Sequence, residues 1–205
     1  MSIVTYNNRS ISSITAIPGT AKSLTHIKTL TASSDSTLSF VNGSSDVVLD
    51  STYPIYIFKF INIHPASDNS TFEVGFRDGS TDYDATKTTT FFWAYHDEAD
   101  SETSLGYLAS RDLAQGTGFT DLSGSVGNGG DESCSGELTL FNPSSTTFVK
   151  HFLSRSSLYE GSSYAMDVHT GGYCNVTAAI DAVQFKFSSG NVDAGTIKLY
   201  GLKDS

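Results

Sequence analysis

Cysteine, proline and tryptophan are scarce in this chain: two, four and one among 205 residues. Cys134 and Cys174 allow one disulfide at most, so the fold has to rest on a buried core rather than on covalent staples. Either the fold brings the two thiols together or they remain two small reduced apolar residues. No apolar run approaches the ~18 residues of a membrane span, which excludes a helical membrane protein. Basic residues are also few, twelve Lys and Arg against twenty-two Asp and Glu, for a net charge of −10. They are scattered, and Lys198 with Lys203 is the nearest approach to a pair. Proteins that track a phosphate backbone present clustered Lys and Arg, so nucleic acid is excluded as a partner and the acidic balance reads as a solubility device. The N-terminus, "MSIVTYNNRSISSIT", has neither the basic start nor the apolar centre of an export signal. That predicts synthesis in a reducing cytoplasm.

What is present is β-forming. The chain is 38% apolar and 12% aromatic, enough for a sizeable core, and Ser, Thr, Gly, Phe and Tyr dominate over helix formers. Short runs separated by turn signals predict strands at 25–31, 37–41, 47–49, 56–63, 71–76, 88–95, 136–141, 146–153, 179–187 and 195–202. Ten strands of this length predict an all-β, two-sheet antiparallel β-sandwich of jelly-roll type. Alternation is clean in the last two: Val183, Phe185 and Phe187 oppose Gln184, Lys186 and Ser188, and Ile197 and Leu199 oppose Thr196, Lys198 and Tyr200. The run "YIFKFINI" is different. Tyr56, Phe58 and Phe60 fall on one face, and Ile57, Ile61 and Ile63 fall on the other with Lys59. Its second face is therefore covered either by the chain itself or by another subunit.

Two segments depart from the strand pattern. Residues 1–24 form an extended arm with no sustained period, ahead of a domain at 25–205. Ile3, Ile11, Ile14 and Ile17 are more apolar than a solvated tail requires, which makes them candidates for attachment to a neighbouring subunit. Between residues 101 and 130, "ETSLGYLASRDLAQ" permits a short helix that gathers Leu105, Leu108 and Leu113, and the Gly-rich stretch after it reads as a long loop. This excursion either is functional or covers the open end of the sandwich.

No motif points to catalysis, a cofactor or a metal. No Gly-x-Ser-x-Gly elbow occurs, and His26, His64, His96, His151 and His169 never take the spacing of a zinc-binding helix. The acidic runs "RDGSTDYD" and "HDEADSE" lack the spacing of a calcium loop and read as solvated turns. Phe91 and Trp93 read as core. Tyr159, Tyr164 and Tyr173 stand among Gly and Ser and are candidate exposed aromatics for stacking a sugar.

Long phrases of the chain carry a resemblance. "YIFKFINIHPASDNSTFEVGF", "TKTTTFFWAYHDEADSETSLGYLAS", "FNPSSTTFVKHF" and "SSGNVDAGTIKLYG" resemble a family of tailed-phage virion proteins common in marine phages, over about Ser23 to Leu202. The resemblance implies a jelly-roll-like domain used as a capsid decoration, a fibre or a tail-associated protein, located in the virion and assembled in the host cytoplasm. It implies other virion proteins as partners and a homo-oligomer such as a trimer, with a host-surface glycan or receptor as the alternative partner of an adhesin. It supplies no catalytic residues and says nothing of cysteine pairing.

Overall fold

The structure is a computed structural model in which residues 24–203 are described. Thirteen strands follow in order: β1 (Leu24–Thr31), β2 (Leu38–Val41), β3 (Ile55–Pro65), β4 (Ser70–Arg77), β5 (Lys87–Asp97), β6 (Thr103–Tyr107), β7 (Ala114–Gly116), β8 (Thr120–Val126), β9 (Cys134–Phe141), β10 (Lys150–Glu160), β11 (Tyr164–Cys174), β12 (Ala182–Phe187) and β13 (Val192–Leu202). The all-β expectation holds. The strands join in one antiparallel sheet, nearly closed into a barrel, rather than in two separate sheets. Its main path runs β1-β13-β3-β9-β10-β8-β4-β12-β2, and β11, β5, β6 and β7 extend from the other edge of β10. The corner lies where β10 meets β8, at the single pair Glu160–Val126.

The 101–130 excursion is not the helix and loop expected. Residues 103–107 and 114–116 add β6 and β7 to β5, and 120–126 form β8 against β4. Only Ala109–Arg111 turns, as one 3-10 turn. Val47 and Leu49 are buried outside any strand, with the Leu49 amide donating to the Asn42 side chain at 2.9 Å. Residues 164–174, which fall outside the expected strands, form the long strand β11.

The core follows from the β3 alternation. Tyr56, Phe58 and Phe60 point inward and are fully buried. Phe185 of β12 packs across the interior on Phe58 (5.4 Å) and Phe60 (6.3 Å), and beside it on Phe40 of β2 (6.3 Å) and, stacked, Phe72 of β4 (5.7 Å). Alternation then breaks within β3. Asn62 adopts φ 50°, and the register against β9 shifts between Phe60 and Ile63. One extra residue flips every side chain beyond it to the opposite face. Ile63, expected with Ile57 and Ile61, is therefore in the core, while Ile57 is half-buried and Ile61 is 43% exposed. The excursion does not cover that second face, because it is spent on β5 and β4.

Two lysines are fully buried. Lys87, Cys174 and Lys150 lie abreast on β5, β11 and β10. The Lys150 ammonium donates to the carbonyls of Val176 (3.0 Å), Thr177 (2.9 Å) and Ala178, which ties the β11–β12 connection to the sheet. The Lys87 ammonium donates to the Ala85 carbonyl alone at 2.6 Å among the described residues. Burial lowers both amines from their ordinary value and pushes the Cys174 thiol up to about 12. Cys134 and Cys174 are both free and buried.

Two outcomes follow. Phe185→Ala, which opens a cavity between the two halves of the barrel, should cost about 3–5 kcal/mol in urea unfolding. The lysines should respond with opposite sign. Lys150→Met orphans three carbonyls and should lower stability by about 1–3 kcal/mol or more. Lys87→Met removes a buried charge with one acceptor and should leave the melting temperature unchanged or raised.

Candidate functional site: the outer face of the sheet

Strand alternation builds the outer surface as regularly as the core. On β10, Phe152, Ser154, Ser156 and Leu158 are buried, and His151, Leu153, Arg155 and Ser157 point outward. Register places Tyr173, Gly171, His169 and Asp167 of β11 beside those four. On the far side of β11, Thr90 and Phe92 of β5 stand opposite Gly171 and His169. On the other edge of β10, Thr139 and Glu137 of β9 stand opposite Leu153 and Arg155. Lys59 of β3 is paired with Glu137. One lateral row therefore reads Phe92, His169, Arg155, Glu137, Lys59.

Within this row the polar groups are mutually paired. The Arg155 guanidinium grips Asp167 through two bonds, Nε–Oδ1 at 3.0 Å and Nη2–Oδ2 at 2.8 Å. That guanidinium holds the Asp167 carboxyl below its ordinary value. Lys59 Nζ reaches Glu137 Oε2 at 2.8 Å. The Phe92 and His169 rings stack 4.8 Å apart with 4° between their planes, which fixes the Phe92 ring while leaving the residue 41% exposed. Gly171 contributes no side chain, so the surface dips between Leu153 and Thr90. The resulting depression has a volume of about 380 Å³ and is lined by Phe92, His169, Arg155, Leu153, Thr90 and Thr139, among others. It shares Arg155 and Glu137 with one neighbouring depression and Thr90, Leu153 and Gly171 with another, so the three form one trough along β10.

Further large apolar side chains are exposed among the described residues: Leu105 and Tyr107 on β6 and Ile61 on β3, on either side of the trough, and also Leu24 at the start of β1 and Phe148 in the β9–β10 connection. The β6 pair is carried on a tight connection from β5. There the Asp97 carboxylate accepts the backbone N–H groups of Ser101 (2.8 Å) and Glu102 (2.7 Å) and the Ser101 hydroxyl (2.5 Å). These donors lower its pKa to about 2. So the second acidic run is in part a turn device.

The sequence-chosen aromatics are dispersed. Tyr159, Tyr164 and Tyr173 lie on strands and are half-buried. The Tyr164 hydroxyl donates to Glu102 Oε2 at 3.0 Å, and Tyr95 donates to Oε1 of the same carboxylate at 2.6 Å. Tyr173 alone lines the trough, at its His151 end. Phe91 is core and Trp93 packs partly against it, as expected. Phe92, overlooked between them, is the exposed ring, and the alternation in "TTTFFWAY" marks it. Ile3, Ile11, Ile14 and Ile17 lie outside the described residues. Among the described residues no group of His, Cys, Asp and Glu is arranged to hold a metal ion, and no helix is long and apolar enough to cross a membrane. No family model, curated protein or solved structure matches the chain.

Asp97 sets a pH dependence on the β5–β6 connection. Its folded-state pKa of about 2 lies below the ordinary aspartate value of 3.8. Its contribution is therefore complete above about pH 4 and is lost as pH falls toward 2. Protection of the Ser101 and Glu102 amides against exchange, measured relative to the intrinsic rate at each pH, should fall across that window. In Asp97→Asn it should already be low at neutral pH.

Proposed function

We propose that this chain is a non-enzymatic structural protein of a tailed-phage particle, a surface-exposed capsid decoration or fibre-like component that binds other virion subunits. The observation that carries the reading is the exposed apolar surface: among the described residues Leu24, Ile61, Leu105 and Tyr107 are all exposed, Tyr107 with its hydroxyl donated to Asp112. Exposed apolar surface of this kind is typical of a protein–protein contact. Ile57 and Ile61 on β3 then face a neighbouring subunit. A closed symmetric homo-oligomer, such as a trimer, would bury such patches without forming open filaments.

The resembling phrases support the same reading. "FNPSSTTFVKHF" forms the β9–β10 connection, and "SSGNVDAGTIKLYG" forms the turn into β13 and most of that strand. The run β8-β4-β12-β2 packs its aromatic face on β3, which supports reading the barrel as a distorted jelly-roll-like sandwich. A second reading, a tail-associated adhesin for a host-surface glycan, is favoured by the trough on the outer face.

Deleting residues 1–23, which leaves β1 whole, should yield a folded, soluble domain that no longer joins the particle or the oligomer. Each buried isoleucine of the arm would contribute about 1.5–3 kcal/mol to that attachment. Immunogold labelling of intact particles measures occupancy. Undiminished occupancy of the truncated protein would reduce the arm to a tail, and absence of the intact protein from particles would overturn the reading.

A further inference from the structure

We propose that the trough along β10 binds a neutral, β-linked oligosaccharide, with Phe92 as its stacking wall and the Arg155–Asp167 pair as its hydrogen-bonding fork. This rests on the adhesin reading only in that the trough faces solvent in the particle.

Shape argues for a chain-like ligand. The trough follows β10 from His151 to Ser157, about 20 Å at the rise of a strand. It is open along its length rather than closed around a compact molecule. A peptide strand is disfavoured as occupant. The strands β5, β11, β10 and β9 are paired on both edges along the trough, so no free backbone N–H or C=O is offered for strand addition. Recognition has to come from side chains alone.

Those side chains suit a sugar. Phe92 is held rigid by its stack on His169, so an apolar C–H face can pack on it without first ordering a mobile ring. Beside it, the Arg155 guanidinium uses Nε and Nη2 on Asp167 and keeps Nη1 for a ligand, while the pair stays 67% and 36% exposed. A planar fork of donors and acceptors matches adjacent hydroxyls. The Thr90 and Thr139 hydroxyls line the same depression.

Charge narrows the class. Arg155 is neutralised by Asp167 and Lys59 by Glu137, and the whole chain carries −10. An acidic polysaccharide would meet no unpaired lysine or arginine among the residues lining the trough, Lys198 lying one strand beyond Lys59, and would meet the repelling field of an acidic chain. An uncharged glycan meets neither obstacle. The β-linked glucose series presents axial C–H groups on a flat face and equatorial hydroxyls at the edge, which fits a ring wall beside a polar fork.

Cellotetraose and laminaritetraose, titrated into the full-length protein, test this by saturation-transfer NMR and amide shifts. At least one should bind and shift the Phe92 and Gly171 amides. Phe92→Ala should weaken binding about ten-fold or more. Gly171→Val should do the same by filling the dip. Its added Cβ would meet only the end of Leu153 at 3.3 Å and the Thr90 hydroxyl at 3.7 Å, so the strand should tolerate it. Phe148→Ala, which removes a more exposed ring outside the trough, should leave affinity unchanged. Thermal melting checks each variant, and Phe92→Ala carries the test if Gly171→Val does not fold. Failure of both sugars to bind up to their solubility overturns the proposal. So does binding that survives Phe92→Ala, or that falls equally in Phe148→Ala. The assay needs no phage particle, so its failure leaves the virion reading standing, and absence from particles leaves the sugar site standing.

Discussion

The packing of Phe185 against four other phenylalanines is the contact on which the rest of this fold depends. Phe185 lies on β12, and two of its partners, Phe58 and Phe60, lie on β3. These strands share no hydrogen bond and stand far apart on the sheet path. Backbone pairing alone would leave the sheet free to open, because β10 and β8 are joined by one residue pair. Burial of large rings between the two arms of the sheet draws them together, and each ring removes enough apolar surface to contribute several kcal/mol. Curvature, closure and the outward direction of the other face all follow from it.

This part of the architecture was legible in the sequence because apolar residues mark it at period 2. Tyr56, Phe58 and Phe60, then Val183, Phe185 and Phe187, announce an inward face without ambiguity. The stretches that escaped detection, the half of β10 beyond residue 153 together with β11 and β8, have inward faces built differently. On β10 and β11, Ser156 and Thr170 point inward, and their hydroxyls donate to the carbonyls of Leu122 (2.5 Å) and Asp121 (2.8 Å) on β8. The Phe72 amide in turn donates to the Ser123 hydroxyl at 2.8 Å. Small hydroxylated residues bring these backbones close and satisfy one another's polar groups, so burial there carries no apolar period. A Ser, Thr and Gly-rich stretch then reads as loop.

Ile63 shows a second limit. Counting by twos from Phe58 places it outside, and only the left-handed backbone of Asn62 places it inside. Asparagine tolerates that conformation better than most residues, yet "INI" alone does not declare a bulge. The site suffered from a related difficulty. Tyrosines among glycines were natural candidates for exposure, but β11 gives them strand neighbours, and Tyr164 spends its hydroxyl on Glu102. Phe92 stands between two other aromatic residues, Phe91 and Trp93, and its exposure follows only once Phe91 is assigned inward.

The same alternation that fills the core decides the chemistry of the outer face. Since β3, β12 and β4 commit their aromatic residues inward, the central strands are left with Lys59, Glu137, Arg155, Asp167 and His169 outside. Register then sets Lys59 opposite Glu137 and places Asp167 diagonally from Arg155 on neighbouring strands, where each pair closes at short range. Such exposed pairs contribute little to stability, typically under about 1 kcal/mol. Their consequence is electrostatic: the middle of the outer face is made polar yet locally neutral in a strongly acidic chain. Phe92 and Leu153 remain exposed within the trough beside these charges, and further exposed apolar groups stand at its flanks, Ile61 on one side and Leu105 with Tyr107 on the other. A face divided in this way can be gripped at its margins by apolar partners while its centre remains wet. Attachment and recognition can therefore occupy one sheet without competing for the same side chains.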